Sequence, residues 1–239
     1  MAKLWQQLQD NFVFFLTCIA IIAALALVSK LTERFLPGRR KISTARRVSI
    51  VGICAAIAAV LHILDFPLLF LAPEFYKLDF SEVPVLMCGF YLGPTATIAC
   101  EGVKILLKLL LKGTSTAFVG DFANFCVGCS LVLPTVIVYH IRKTKAGALI
   151  GMAVGTISLT IFGSAFNAIY LLPKFAQLYG MPLETIVAMG TKVHAGVKDV
   201  TTFVLLCVAP LNLVKGIAVS AIVFPLYKRV EKVLFSKIK

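Results

Sequence analysis

Seven apolar runs separated by short polar connections constrain this chain more than any other feature: Val13 to Val28, Val48 to Leu64, Val83 to Leu92, Thr95 to Leu111, Ala117 to Ile141, Ala146 to Leu172 and Val200 to Tyr227. A helix rises about 1.5 Å per residue, so a span across about 30 Å of hydrocarbon takes roughly 20 apolar residues. The chain has 239 residues, 59% of them hydrophobic and 15% charged. That length accommodates about six to eight helices and leaves no room for a large soluble catalytic domain. The expectation is an all-α integral membrane protein, with Val83 to Leu92 too short to cross alone unless extended, tilted or shielded from lipid.

A formal charge of +13 in a soluble protein would suggest nucleic acid. Here the basic residues cluster between apolar runs, so they report topology instead, and no nucleic acid partner is expected. The densest cluster is Lys30, Arg34, Arg39, Arg40, Lys41, Arg46 and Arg47, which places that connection in the cytoplasm. Alternation then puts Arg142, Lys143 and Lys145 inside, and with them Lys228, Arg229, Lys232, Lys237 and Lys239. The three clusters agree on an N-terminus outside and a cytoplasmic C-terminus. Only Lys3, offset by Asp10, precedes the first run, which reads as an anchor helix and not a signal peptide. The segments Asp65 to Glu82, Lys112 to Thr116 and Pro173 to Asp199 fall outside, with mixed charges, prolines and aromatics suited to ordered loops over a site.

Seven cysteines, an odd number inside or beside apolar stretches, argue against a disulfide framework. Cys126-Val-Gly-Cys129 stands without a second pair or a histidine at ligand spacing, which favours two small helix residues over a metal. His62, His140 and His194 are isolated at different depths, and no Ser/His/Asp set shares one, so hydrolytic chemistry finds no residues.

An ionisable side chain within a span is costly and is a functional hypothesis by default. Lys215 is the single charge between Asp199 and Lys228, and Asn212 lies three residues earlier on the same helical face. Asn167 interrupts the run before it. One ammonium and two carboxamides suit a neutral planar ligand with alternating carbonyl and imide groups; the competing reading is that the asparagines pair helices and the lysine snorkels. Glu101, Lys104 and Lys108 share a face of the fourth run, either as a site or as an internal Glu101–Lys104 pair with Lys108 and Lys112 reaching the interface. Gly113-Thr114-Ser115-Thr116, then Gly120, Asp121 and Asn124, form a polar lip that is equally a helix cap.

These residues resemble the substrate-binding S components of energy-coupling-factor (ECF) transporters, and within them the riboflavin-specific members. Lys77-Leu-Asp-Phe-Ser-Glu-Val-Pro84 is similar to the family's LDFSDIP-type outer loop, and Gly113 to Asn124 to its GTSTxxxGExxN segment. Asn167 to Pro173 and Asn212 to Lys215 resemble the NxxYxxP and NxxK elements. The likeness runs over most of Val48 to Tyr227 and implies a six-helix S-component bundle, here with one extra N-terminal transmembrane helix. It divides the chain into residues 1–47, the extra helix and basic loop, and 48–239, the binding domain.

The resemblance further implies that riboflavin is bound at the outer face as transported substrate, with no cofactor and no chemistry. By it, Asn167, Asn212 and Lys215 would hold the ring edge, while Leu78, Asp79, Phe80 and Ser81 would meet or cover the ribityl chain. Lys104, Thr114, Ser115, Thr116, Gly120 and Asn124 complete the expected site. Partners implied are the transmembrane coupling subunit EcfT and two ATP-binding subunits. The coupling contact would use small residues of the first core helix, Ala55 and Ala59 or the adjacent stripe Gly52 and Ala56. Asp121 stands where the family usually has glutamate, and Pro173 to Asp199 is long. The alternatives are a self-sufficient proton-coupled transporter relaying through Glu101, Lys104 or Lys215, or an S component for another vitamin or for flavin mononucleotide.

Overall fold

The computed structural model describes residues 2–36 and 42–235, with side chains for 16–36 and 42–229. Arg39, Arg40, Lys41, Lys237 and Lys239 lie outside the described residues, as do the side chains of Lys3, Asp10 and Lys232. Every apolar run forms a helix. In chain order these are α1 (Ala2–Phe35), α2 (Thr44–Ile63), α3 (Glu82–Leu92), α4 (Pro94–Lys112), α5 (Val119–Ile141) and α6 (Lys145–Phe166), followed by α7 (Leu172–Tyr179), α8 (Leu183–Thr191), α9 (Val200–Phe203) and α10 (Ala209–Phe235). Two π turns, Asn167–Leu171 and Val204–Val208, join α6 to α7 and α9 to α10 and touch each other. A two-residue antiparallel pairing, β1 (Phe66–Pro67) with β2 (Lys77–Leu78), pins the loop between α2 and α3.

The helices differ in how well each suits a membrane crossing on its own. Among the described residues, five helical stretches are long and apolar enough to cross a membrane: Leu16–Phe35, Thr44–Ile63, Val119–Ile141, Lys145–Tyr179 and Val200–Arg229. Helix α3 is 11 residues long, about 16 Å. It begins at the depth of Lys104, midway along α4, because the 65–81 loop dips into the bundle and ends there. Irregular backbone at that depth is tolerated where protein surrounds it, and most of α3 is buried. Helix α4 has the length but carries Glu101, Lys104, Lys108 and Lys112.

The tightest packing joins α5 and α6. Glycines 147, 151 and 155 recur every fourth residue on α6, and a Cβ on Gly151 would sit 2.6 Å from the Thr135 carbonyl oxygen of α5. Such spacing lets two helix backbones approach in a solvent that supplies no hydrophobic drive. The main core lies among α2 to α6 and α10, around Val85, Leu86, Leu131, Met152, Leu159 and Val219. A second core under α7 and α8 gathers Leu172, Ile186, Phe203 and Val208. Helix α1 packs on α4 and α5, its Cys18 joining Ile98, Phe125, Cys126 and Cys129. Both CxxC thiols are thus core residues, and no metal-ligand cluster occurs among the described residues.

Candidate ligand-binding site

Where the 65–81 loop meets the α4–α5 connection, a cavity of about 370 Å³ opens at one end of the bundle. Small-molecule sites occupy about 300–1,000 Å³. Parts of the chain far apart in sequence line it. Asn167 and Leu171 come from the first π turn, Asn212 and Lys215 from α10, Leu78 and Asp79 from the loop, and Thr114, Ser115, Thr116, Gly120 and Asn124 from the α4–α5 region.

Each polar group is held by its own local structure. Asn167 Nδ2 donates to the Gly163 carbonyl at 2.7 Å, and its Oδ1 accepts from the Tyr76 hydroxyl at 2.6 Å. Asn212 lies against Gly163, where a Cβ would come within 2.6 Å of its Nδ2. That Nδ2 is buried and has no hydrogen-bond partner among the described residues. Gly113 ends α4 at φ 73 and ψ −164, a conformation open to glycine alone. Ala117 and Phe118 then take positive φ of 46 and 68. Thr114 Oγ1 holds them by accepting the Phe118 amide at 3.0 Å, while Thr116 Oγ1 accepts the Gly120 amide at 2.9 Å. Both hydroxyls therefore satisfy backbone amides at the start of α5, and both residues line the cavity.

Below the cavity runs a buried ion cluster. Lys215 Nζ lies 3.1 Å from Asp79 Oδ2 and 3.1 Å from Glu82 Oε1. Glu82 Oε1 is in turn 3.5 Å from Lys104 Nζ, which pairs with Glu101 and donates to Ser81 Oγ at 3.1 Å. His62 Nδ1 is 3.4 Å from Asp79 Oδ2, and the Ser81 amide donates to Asp79 Oδ1 at 2.9 Å. Burial would raise the Asp79 carboxyl, but Lys215 and His62 beside it hold it well below the usual carboxylate range. Around the mouth, Lys77 and Lys112 each stand 3.3 Å from Asp65 Oδ1, and Lys108 is 2.5 Å from Asp121 Oδ1.

Three residues expected in the site are not on its lining. Lys104 is fully buried and neutralised by Glu101 and Glu82, Ser81 is buried beneath it, and Phe80 turns into the main core with its ring 6.0 Å from Phe66. The internal pairing of Glu101 with Lys104 is thus realised, although Lys108 reaches Asp121 instead of running free to the interface. The two small-residue stripes of α2 take different positions: Ala55 and Ala59 are 0% and 1% exposed, facing into the bundle, whereas Gly52 and Ala56 are exposed on the opposite stripe. The lining also includes Phe75, Tyr76, Phe175 and His62, which sequence reasoning misses. The one available signal is the aromatic pair beside Pro73 in the outer loop.

This fold and cavity define a class: the chain belongs to the ECF transporter substrate-specific component family, whose pattern matches residues 46–227, and it is a multi-pass membrane protein working as a transporter component. Among relatives, it is 33% identical over 204 residues to the riboflavin transporter RibU of Staphylococcus aureus (strain TCH60), covering 82% of this chain and 97% of that protein. It is 31% identical over 178 residues to the riboflavin transporter FmnP of Bacillus subtilis (strain 168), covering 74% and 87%. A solved structure described as the S component of a bacterial ECF transporter superposes with a TM-score of 0.63 at 33% identity, over 81% of this chain and 99% of that one.

Proposed function

We propose that the chain is the riboflavin-binding S component of an ECF-type ABC transporter, taking the vitamin from outside the cell without covalent chemistry. The observation that carries this reading is the convergence of Asn167, Asn212 and Lys215 on one cavity, with the Asn212 amide donor unpartnered. A flavin's pyrimidine edge offers carbonyl, imide N–H and carbonyl in a row. Asn212 Nδ2 and Lys215 Nζ supply donors for the two carbonyls. Asn167 Oδ1, which accepts from Tyr76, retains a second lone pair for the imide. Phe75, Tyr76 and Phe175 give apolar faces for the ring system, and Leu78, Asp79 and the Thr114–Thr116 lip border the space left for a polyol.

The cavity end faces outward in this reading, because Arg142, Lys143, Lys145, Lys228 and Arg229 stand at the opposite ends of α5, α6 and α10. Transport energy comes from two ATP-binding subunits through EcfT, which meets the exposed stripe of α2 at Ala56, beyond the Gly52 end. Residues 48–239 form the binding domain and residues 1–47 an accessory helix and loop. Proton relay through Glu101 and Lys104 finds no support, since both are enclosed in the ion cluster away from the cavity lining.

The test is an equilibrium titration of purified protein against a panel of vitamins, with flavin fluorescence as readout. Riboflavin quenches and saturates at one equivalent, and flavin mononucleotide in the same panel defines the tolerance for a phosphate. Liposomes carrying the chain alone accumulate no flavin under a proton gradient. Tight binding of a different vitamin, or gradient-driven accumulation, overturns the proposal.

A further inference from the structure

At the end of the bundle away from the cavity, a groove of about 670 Å³ runs between α1 and α2 over α4. Apart from Thr95, its walls and floor are apolar or small: Val48, Val51 and Gly52 of α2, and Ala96, Ala99 and Val103 of α4. Among the described residues no atom lies within 4 Å of where a Gly52 Cβ would stand, so none of them fills the groove there. Its flanks are lipid-facing, with Leu27, Leu31 and Val48 exposed at 58%, 43% and 65%.

The mouth has the opposite character. Lys30, Glu33 and Arg34 of α1 and Arg47 of α2 line it. Glu33 is 3.4 Å from Arg47 Nη2, which offsets one positive charge. Lys30 and Arg34, one helical turn apart on the same face, are exposed and make no ion pair among the described residues. Among the described residues, two cations without an ion-pair partner therefore stand at the entrance of an apolar trough. They sit at the end of the bundle that also carries Arg142, Lys143, Lys145, Lys228 and Arg229, the level of the headgroups.

We propose that this groove is a binding site for one anionic phospholipid, its phosphate held between Lys30, Arg34 and Arg47 and an acyl chain lying along Val51, Ala99 and Val103. Charge selects the headgroup: a phosphatidylglycerol leaves the two free cations paired, whereas the choline of a zwitterionic lipid brings a third cation among them. Basic pockets between membrane helices bind anionic headgroups on the same physical grounds. The trough makes the second demand, since a free phosphate gains nothing from it. Helix α1 thereby becomes half of a lipid site and holds one wall of the groove in place.

The experiment uses the full chain in detergent, incubated with dioleoyl phosphatidylglycerol or dioleoyl phosphatidylcholine and read by native mass spectrometry, with the melting temperature as control for folding. One phosphatidylglycerol is retained in preference to phosphatidylcholine. The Lys30→Gln, Arg34→Gln double variant loses retention about ten-fold or more, at about one log unit or less per removed charge. Ala99→Phe, which fills the trough and leaves every charge, also loses it. Equal retention of the two lipids, full displacement by millimolar inorganic phosphate, or unchanged binding in the folded Ala99→Phe variant each overturns the proposal.

Discussion

Replacing Lys215 with methionine keeps the stem and deletes only the ammonium. That ammonium stands 3.1 Å from both Asp79 and Glu82, with the side chains 12%, 4% and 3% exposed. At an effective dielectric of about 20, each contact is worth roughly 5 kcal/mol of Coulomb attraction, most of which the desolvation of the ions cancels. What matters is the state left behind, because removing one partner from a buried pair costs about 3–5 kcal/mol through the uncompensated charge. Lys104 at 3.5 Å from Glu82 supplies part of the missing charge. The low end therefore applies, about 3 kcal/mol, or roughly a hundred-fold in an equilibrium constant. Since Asp79 belongs to the loop over the cavity, the loss is expected both in thermal unfolding and in binding. Riboflavin and lumichrome, which shares the ring edge but lacks the ribityl chain, should weaken together in fluorescence titrations. Adding Asp79→Asn to Lys215→Met removes one orphaned carboxylate and should recover stability without recovering flavin affinity. A single variant that melts with the parent and binds both flavins normally would refute the reasoning at its base.

The Asn212 amide gives the next expectation: Asn212→Leu should cost about 1–3 kcal/mol of flavin binding, and Gly163→Ala, which pushes on Nδ2, should reproduce a smaller part of that loss, both read by titration. Ala55→Leu overpacks a filled core and should lower stability by about 1–3 kcal/mol, whereas Ala56→Leu, on the exposed stripe, should leave melting and binding intact and abolish uptake by cells that supply the other subunits. If instead Ala55→Leu folds normally and only uptake fails, the buried stripe is the coupling surface. The depressed Asp79 carboxyl fixes a pH window: its contribution is full above the ordinary aspartate range near about 4 and is lost as pH falls further through its lower folded value. Flavin binding should therefore show no Asp79-linked loss from neutral pH down to about 5, and a loss in that interval that Asp79→Asn abolishes would contradict the ion-paired arrangement.

Membrane cost made the deep polar residues legible. Asn167, Asn212 and Lys215 stand out in apolar runs because carboxamides and ammonium are expensive there, and all three meet at the cavity. Tyr76 and Phe175 do not stand out, since an aromatic residue in a loop carries no such penalty and its position depends on how the loop folds back. Lys104 misleads for the same reason that Lys215 informs: both are charges at depth, but only the folded chain reveals that Lys104 is closed in by Glu82 and Glu101. The two stripes of α2 are equivalent in sequence, because alanine suits a tight core and a docking face alike. The glycine repeat on α6 is fully visible at positions 147, 151 and 155 and marks the α5–α6 seam; nothing in one sequence says which neighbour it approaches.

The shortness of α3 and the charges of α4 bear on how such a chain enters the bilayer. A lysine or acidic residue at mid-helix opposes insertion by about 2.5–3.5 kcal/mol on the scale that the translocation machinery applies. Helix α4 carries Glu101 and Lys104 near its centre, and α3 is about half a membrane thick with Glu82 at its tip. Neither segment can partition into lipid alone as α2 or α5 can. Glu82, Glu101 and Lys104 pair with one another, and Glu82 also with Lys215, which is synthesised more than 100 residues after Lys104. The ion cluster around Glu82 is therefore complete only once the final helix brings its counter-charge. The same lysine that lines the binding cavity thus closes the charge balance of the two least lipophilic helices.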